Sequence, residues 1–324
     1  MANMERIEEL QDILHEDPEN FQVRRDLAIL LINAGFPKEA AQHLIYLSKK
    51  FPNDEEVFYN HGIAYEKQKL FDKAADAYIR AIELVPNFVD AVYNLGLVFI
   101  ELKRFDEAIE CFDEVLKTDE NDSNSYFNKG IAYLKKGDLV NALMNFQDTI
   151  DLNDEDLYAH FYIGNILKEM GDFEGAKEHF NRVISISPDY SWAYYNLASI
   201  AFDEQDYEQV ALNLDKTIEL NPKDEGAYIN YSKILVKMGL FEDAKQMLLR
   251  AIEECSDIGD LYYYIAKVAK QEGNSDEYRE NLNNALQKSQ LVYISNKETA
   301  TRKLCKLHCK QISRLLTDTV FVLT

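Results

Sequence analysis

The chain has 324 residues, 47% of them hydrophobic and 28% charged, with only 12 Gly and 6 Pro and a formal net charge of −22. That composition supplies a continuous core and argues against long disordered linkers; the acidic balance excludes nucleic acid, whose phosphates must be met by Lys and Arg. It disfavours anionic membrane surfaces for the same reason, no apolar run is long enough to span a bilayer, and the partners expected of such a surface are neutral to basic.

In chain order, residues 4 to 17 read as one amphipathic helix, with Ile7, Leu10, Ile13 and Leu14 at helical spacing and Pro18 just past its end. Residues 1–20 are therefore expected to form an N-terminal capping helix over the exposed apolar face of the first repeat. From Phe21 to Val292 a register of 34 residues holds for eight units, which begin at Phe21, Glu55, Val89, Ser123, Leu157, Ser191, Glu225 and Gly259 without an insertion.

The chemistry recurs inside each unit for packing reasons. Position eight is small: Ala28, Gly62, Gly96, Gly130, Gly164, Ala198, Ser232 and Ala266. A side chain of that size lets the two helices of a hairpin approach closely. Position twenty answers with Ala40, Ala74, Ala108, Ala142, Ala176, Val210 and Ala244, and breaks only at Tyr278. Position twenty-four carries the bulk, as in Leu44, Tyr78, Phe112, Phe146, Phe180, Leu214, Leu248 and Leu282, and large against small at fixed offsets specifies a close-packed core. Gly35, Gly137, Gly171, Gly239 and Gly273 stand at position fifteen, where a left-handed residue ends a helix. Pro52, Pro86, Pro188 and Pro222 lie between units, and Pro37 opens a second helix, where its missing N–H matters little.

This pattern resembles the tetratricopeptide repeat over residues 21–292. The resemblance implies an all-α fold, an α-solenoid in which helix-turn-helix units stack into a right-handed superhelix whose concave groove is lined by the first helices. The eighth unit is the weakest match, and with Ser275 and Tyr278 in place of an aromatic and Ala, its second helix is expected to pack loosely.

Residues 293–324 change character, with Lys297, Arg302, Lys303, Lys306, Lys310 and Arg314 against Glu298 and Asp318. Leu304, Leu307, Ile312 and Leu315 fall on one apolar helical stripe, which predicts a basic capping helix and tail, ending in the strand-like Thr319–Thr324.

Little in the chain suggests catalysis. No phosphate-cradling Gly-rich loop, nucleophile elbow or dinucleotide fingerprint is present, the repeats leave no room for a catalytic domain, and no enzyme activity or cofactor is expected. Acidic runs such as Glu55-Glu56 and Asp154-Glu155-Asp156 sit at unit junctions as helix-start charges. His15, His43, His61, His160, His179 and His308 form no ligand pair on one helix face; Cys305, His308 and Cys309 share a face but lack a fourth ligand, so no metal is expected. Cys111 and Cys255 complete a cysteine set too sparse for a disulfide framework, and Met1 to Arg6 carries no apolar signal core, which together predict a cytoplasmic location.

The first helices offer the candidate site. Position six reads Asp26, Asn60, Asn94, Asn128, Tyr162, Asn196, Asn230 and Tyr264. A spaced row of amides can grip the backbone of an extended peptide, and the row resembles the asparagine ladder in the repeats of O-linked N-acetylglucosamine transferases, without their catalytic part. The alternative is that these Asn residues only brace neighbouring helices. Position five is aromatic in Tyr59, Tyr93, Phe127, Phe161, Tyr195 and Tyr263, suiting either apolar or cationic side chains of a ligand or wedging between helices. The carboxylate clamp of chaperone-binding repeats is not matched: only Asn165 followed by Asn196 fits, while Phe161, Gly226 and Asn230 do not. The expected function is a non-enzymatic scaffold holding an extended peptide or partner helix in its groove; the alternative is a regulatory or targeting subunit of an enzyme, docking through its acidic convex face or basic tail.

Overall fold

A computed structural model describes residues 2–255 and 259–295, and among them are seventeen α-helices and no strand. Helix α1 spans Ala2–Glu16, and eight hairpins follow. Their first helices are α2 (Phe21–Asn33), α4 (Glu55–Lys67), α6 (Val89–Glu101), α8 (Ser123–Lys136), α10 (Leu157–Met170), α12 (Ser191–Asp203), α14 (Glu225–Lys237) and α16 (Gly259–Glu272). Their second helices are α3 (Pro37–Lys50), α5 (Phe71–Leu84), α7 (Phe105–Thr118), α9 (Leu139–Leu152), α11 (Phe173–Ile186), α13 (Tyr207–Leu220), α15 (Phe241–Glu254) and α17 (Ser275–Ser295). Every first helix begins at the residue where the sequence register places it. The fold is an all-α solenoid in which consecutive helices pack on one another, divided into two compact units, Met1–Ile166 and Leu167–Thr324. The basic tail, its cysteines and its strand-like end lie outside the described residues.

Carboxylate caps fix the starts of four first helices, α4, α8, α10 and α14. Carboxylates of Asp54, Asp122, Asp156 and Asp224 accept from the backbone N–H of Val57, Ser125, Ala159 and Ala227 at 3.2, 3.2, 2.8 and 3.1 Å, each satisfying a donor that the first turn leaves without a partner. Much of the acidity at the unit junctions is thus capping chemistry. Helix ends obey the register more strictly than glycine does. Position fifteen is left-handed at Gly35, Gly137, Gly171, Gly239 and Gly273, and also at Lys69, Lys103 and Gln205, with φ of 59°, 60° and 64°.

In the N-terminal unit, Ile7, Leu10 and Leu14 of α1 are buried in one cluster with Leu27, Leu31 and Leu44. The pairing of small and large positions is tight: a Cβ on Gly62 would stand 2.4 Å from the Tyr78 ring, and on Gly96 or Gly130 2.9 Å from Phe112 or Phe146.

In the C-terminal unit the expected loose packing of α17 is corrected. Tyr278, Leu282 and Ala285 form a buried cluster with Ala266 and Ala269 of α16. The reason is a compensating exchange. Position eleven, bulky as Leu31, Tyr65 and Phe99 where position twenty is Ala, shrinks to Ala269 where position twenty grows to Tyr278. The same exchange pairs Ala201 with Val210, which share a core cluster. Lys245 of α15 further ties the last hairpin down, its ammonium 2.6 Å from Glu272 and 2.7 Å from Glu277.

Candidate functional site

All ten predicted site residues lie on first helices, and nine of them are half-buried, Asn196 being buried. Position six behaves in two ways. Asn94 donates from Nδ2 to the Tyr59 hydroxyl at 3.2 Å, Asn128 to the Tyr93 hydroxyl at 2.8 Å and Asn230 to the Tyr195 hydroxyl at 2.6 Å. Each bond joins position five of one repeat to position six of the next. Asn60 and Asn196 bond only back onto their own helices through Nδ2, donating to the carbonyls of Glu56 and Trp192 at 2.8 and 2.9 Å, a bond that Asn128 also makes, to the Asn124 carbonyl at 2.9 Å. The residue 35 before Asn60 or Asn196 is Arg25 or Phe161, and neither offers a hydroxyl to accept the bond. Arg25 pairs with Asp54 and lies over the Phe51 ring; Phe127 packs edge-on against Tyr162 with centroids 5.9 Å apart.

The paired tyrosines stay protonated. Burial pushes the hydroxyls of Tyr59, Tyr93 and Tyr195 above the ordinary phenol value, helped by the charges of Asp90, Asp122 and Asp224 respectively. Each hydroxyl accepts from an amide and keeps its own proton to donate. Asn94 and Asn128 accept no hydrogen bond on Oδ1 among the described residues, whereas Asn230 Oδ1 accepts from Lys233 Nζ at 3.0 Å. Two Tyr–Asn pairs of the N-terminal unit therefore present one O–H donor and one C=O acceptor side by side. Position nine beside them is apolar and partly open at Ile29, Ile63, Leu97 and Ile131.

In the C-terminal unit, Tyr195 and Asn230 help to line a cavity of about 240 Å³ with Ala198, Ser199, Phe202, Val210, Leu214, Lys233 and Ile234. A groove of about 900 Å³ in the N-terminal unit, over Val92, Phe99 and Val115 with Glu107, Glu110 and Glu114 at its edge, includes none of the predicted site residues. Sequence reasoning missed both hollows, because neither follows from the register; it also missed the Tyr–Asn bonds, whose signal was a pairing of residue types 35 apart. Among the described residues no group of three His, Cys, Asp or Glu is arranged to hold a metal ion, and no helix is long and apolar enough to cross a membrane.

Such an array of hairpins with solvent-facing first helices defines a helical-repeat interaction protein. Profiles described as tetratricopeptide repeat match residues 25–87, 59–125, 93–156 and 201–257, and one described as TPR repeat matches 164–203; the chain belongs to the tetratricopeptide repeat family. Among solved structures it is similar to a MamA RS-1 double mutant (25% identity, 52% of this chain and 96% of that one, TM-score 0.51). MamA from Desulfovibrio magneticus RS-1 is similar at 24% identity (53% and 97%, TM-score 0.51). A tetratricopeptide repeat protein from Parabacteroides merdae ATCC 43184 is similar over more of the chain, at 14% identity (89% and 98%, TM-score 0.52). No curated protein matches.

Proposed function

We propose that this scaffold binds an extended peptide along the first-helix faces, and that the reading assigns the chain no reaction of its own. The observation that carries it is the pair of half-used hydrogen-bonding groups at Tyr59–Asn94 and Tyr93–Asn128. A peptide backbone offers one acceptor and one donor per residue, which matches a hydroxyl proton beside an amide carbonyl. The partly open apolar row at position nine supplies contact for side chains, and Glu56, Asp90 and Glu101 on the same helices favour a neutral to basic segment there. The amides are held by their tyrosines before any ligand arrives, so little ordering entropy opposes binding.

The test is selection from a displayed library of random extended peptides, followed by affinity measurement with Tyr93→Phe, Asn94→Ala and Asn128→Ala. Each substitution removes one hydrogen bond to the peptide, so affinity should fall about tenfold per site, as a loss of roughly 1.5 kcal/mol requires. Unchanged affinity in all three variants, with thermal melting still cooperative, would defeat the reading.

A further inference from the structure

The chain is strongly acidic, yet the first-helix face of its C-terminal unit is locally cationic. Position nine, apolar in the first four repeats, is Lys233 in α14 and Lys267 in α16. Lys233 Nζ lies 5.4 Å from the Tyr264 ring centroid; Lys267 Nζ lies 5.0 Å from the same centroid and 4.7 Å from that of Tyr263. Two ammonium groups thus flank one ring, and Lys237 Nζ adds a third, 4.2 Å over Phe202 on the cavity wall.

These three lysines form no ion pair among the described residues, whereas Lys177, Lys216 and Lys245 of the same unit do. Lys233 is held below the ordinary lysine value, by burial of its stem first and by the charge of Lys267 second. Like charges brought together without a counter-charge raise the energy of the free protein, and an arriving anion relieves it. The ring faces retain the ammoniums in place, and a lysine, as a compact point charge with rotatable donors, accepts either a carboxylate or a phosphoryl group. The cavity adjoining Lys233 is walled by Tyr195, Phe202, Val210 and Leu214, large enough for one apolar side chain and too small for a folded element.

We infer that the first-helix face of the C-terminal unit binds an anionic peptide segment, with Lys233 and Lys267 meeting its acidic side chain while a neighbouring apolar side chain enters the cavity at Tyr195 and Phe202. This rests on the peptide-binding reading and specifies its partner for these repeats. The net charge of the whole chain concealed it, because the acidic excess lies largely on caps and solvated helix faces.

The experiment uses the full chain and four fluorescein-labelled dodecapeptides that share leucine and phenylalanine positions and differ only in the alternating residue, Glu, Gln, Lys or phosphoserine. Fluorescence anisotropy should show the Glu peptide bound about tenfold more tightly than the Gln peptide, as one desolvated charge contact provides, the gap closing at about 0.5 M salt. The double variant Lys233→Met/Lys267→Met should bring the ratio of Glu-peptide to Gln-peptide affinity, read within the one protein, from about ten to about one, with melting still cooperative. A phosphoserine peptide tighter than the Glu peptide identifies the anion as phosphoryl; the reverse identifies it as carboxylate. Equal binding of Glu and Gln peptides, tightest binding of the Lys peptide, or a preference that survives the double variant overturns the inference and leaves peptide binding standing. Absence of binding to all four overturns both.

Discussion

Gly62→Ala isolates the packing rule that spaces the first and second helices. The new Cβ would stand 2.4, 2.6 and 2.8 Å from Cε1, Cδ1 and Cζ of Tyr78, all inside van der Waals contact. The ring cannot yield: it is fully buried and its hydroxyl donates to Glu66 at 2.9 Å. Overpacking costs about 1–3 kcal/mol, and an approach of 2.4 Å to a ring that cannot move belongs to the upper part of that range, about 2–3 kcal/mol; Ala for Gly inside a helix returns about 1 kcal/mol, so a net loss of about 1–2 kcal/mol is expected. Tyr78→Leu alone opens a cavity and strands a hydrogen bond, at about 2–4 kcal/mol. The double variant recreates the combination already present as Ala28 with Leu44 and Ala198 with Leu214, so it should cost less than the sum by about 1–2 kcal/mol. Urea unfolding followed by circular dichroism measures all four proteins, with a common slope licensing comparison of midpoints. Indole fluorescence is unsuited, since the single tryptophan, Trp192, lies in the C-terminal unit. A neutral Gly62→Ala, or strict additivity in the double variant, would refute the reasoning.

Lys103→Gly, at φ 60°, should raise stability by up to about 1 kcal/mol, whereas Gly137→Ala, where a Cβ meets nothing within 4 Å, should lower it by about 1–2 kcal/mol on backbone strain alone; thermal denaturation distinguishes the two signs. His61 is buried, stacked on Tyr65 with centroids 4.2 Å apart, and burial together with Lys73 pushes its pKa down to about 4. Because the unfolded chain protonates near 6.5, stability is lost as pH falls from about 6.5 to about 4, by an amount on the order of 3 kcal/mol from this residue. His61→Phe should flatten that part of the stability–pH curve, and a difference curve with no slope there would disprove it. Tyr93→Phe should cost about 1 kcal/mol of stability through the lost Asn128 brace, while Phe161→Tyr should cost nothing; chemical denaturation of the pair decides.

Architecture was legible because it depends on residues in one fixed register. A 34-residue period names every first-helix start, and the exchange of small and large at positions eight and twenty-four survives in the structure as sub-3 Å approaches. Legibility failed where one position depends on another that varies. Tyr278 looked like a defect when read against Ala at position twenty, and becomes a fitted side chain only beside Ala269. Lys69, Lys103 and Gln205 hide a left-handed backbone that glycine advertises elsewhere, since three short connections impose it on residues that disfavour it. The hollows at the surface depend on side-chain directions across neighbouring helices, which a one-dimensional register does not carry.

The candidate site shows the same dependence in a form that bears on function. Bracing and binding were set against each other as readings of the position-six asparagines; the structure shows the brace at Tyr59–Asn94 and Tyr93–Asn128, and peptide binding as proposed uses it rather than competing with it. An amide left free to rotate would lose rotamer entropy on meeting a ligand; one tied through Nδ2 to a hydroxyl in the preceding repeat presents its Oδ1 in a fixed direction. The tie itself requires a tyrosine 35 residues earlier; Asn60 and Asn196 lack it and keep only the bond to their own helices, whereas Asn128 makes both. Under the proposal, the binding competence of any position-six asparagine should be set by its neighbour one repeat back. Installing a tyrosine at Arg25 should therefore tie Asn60 Nδ2 to the new hydroxyl, and a gain of peptide affinity in Arg25→Tyr that disappears in Arg25→Tyr/Asn60→Ala would show that the brace makes the site.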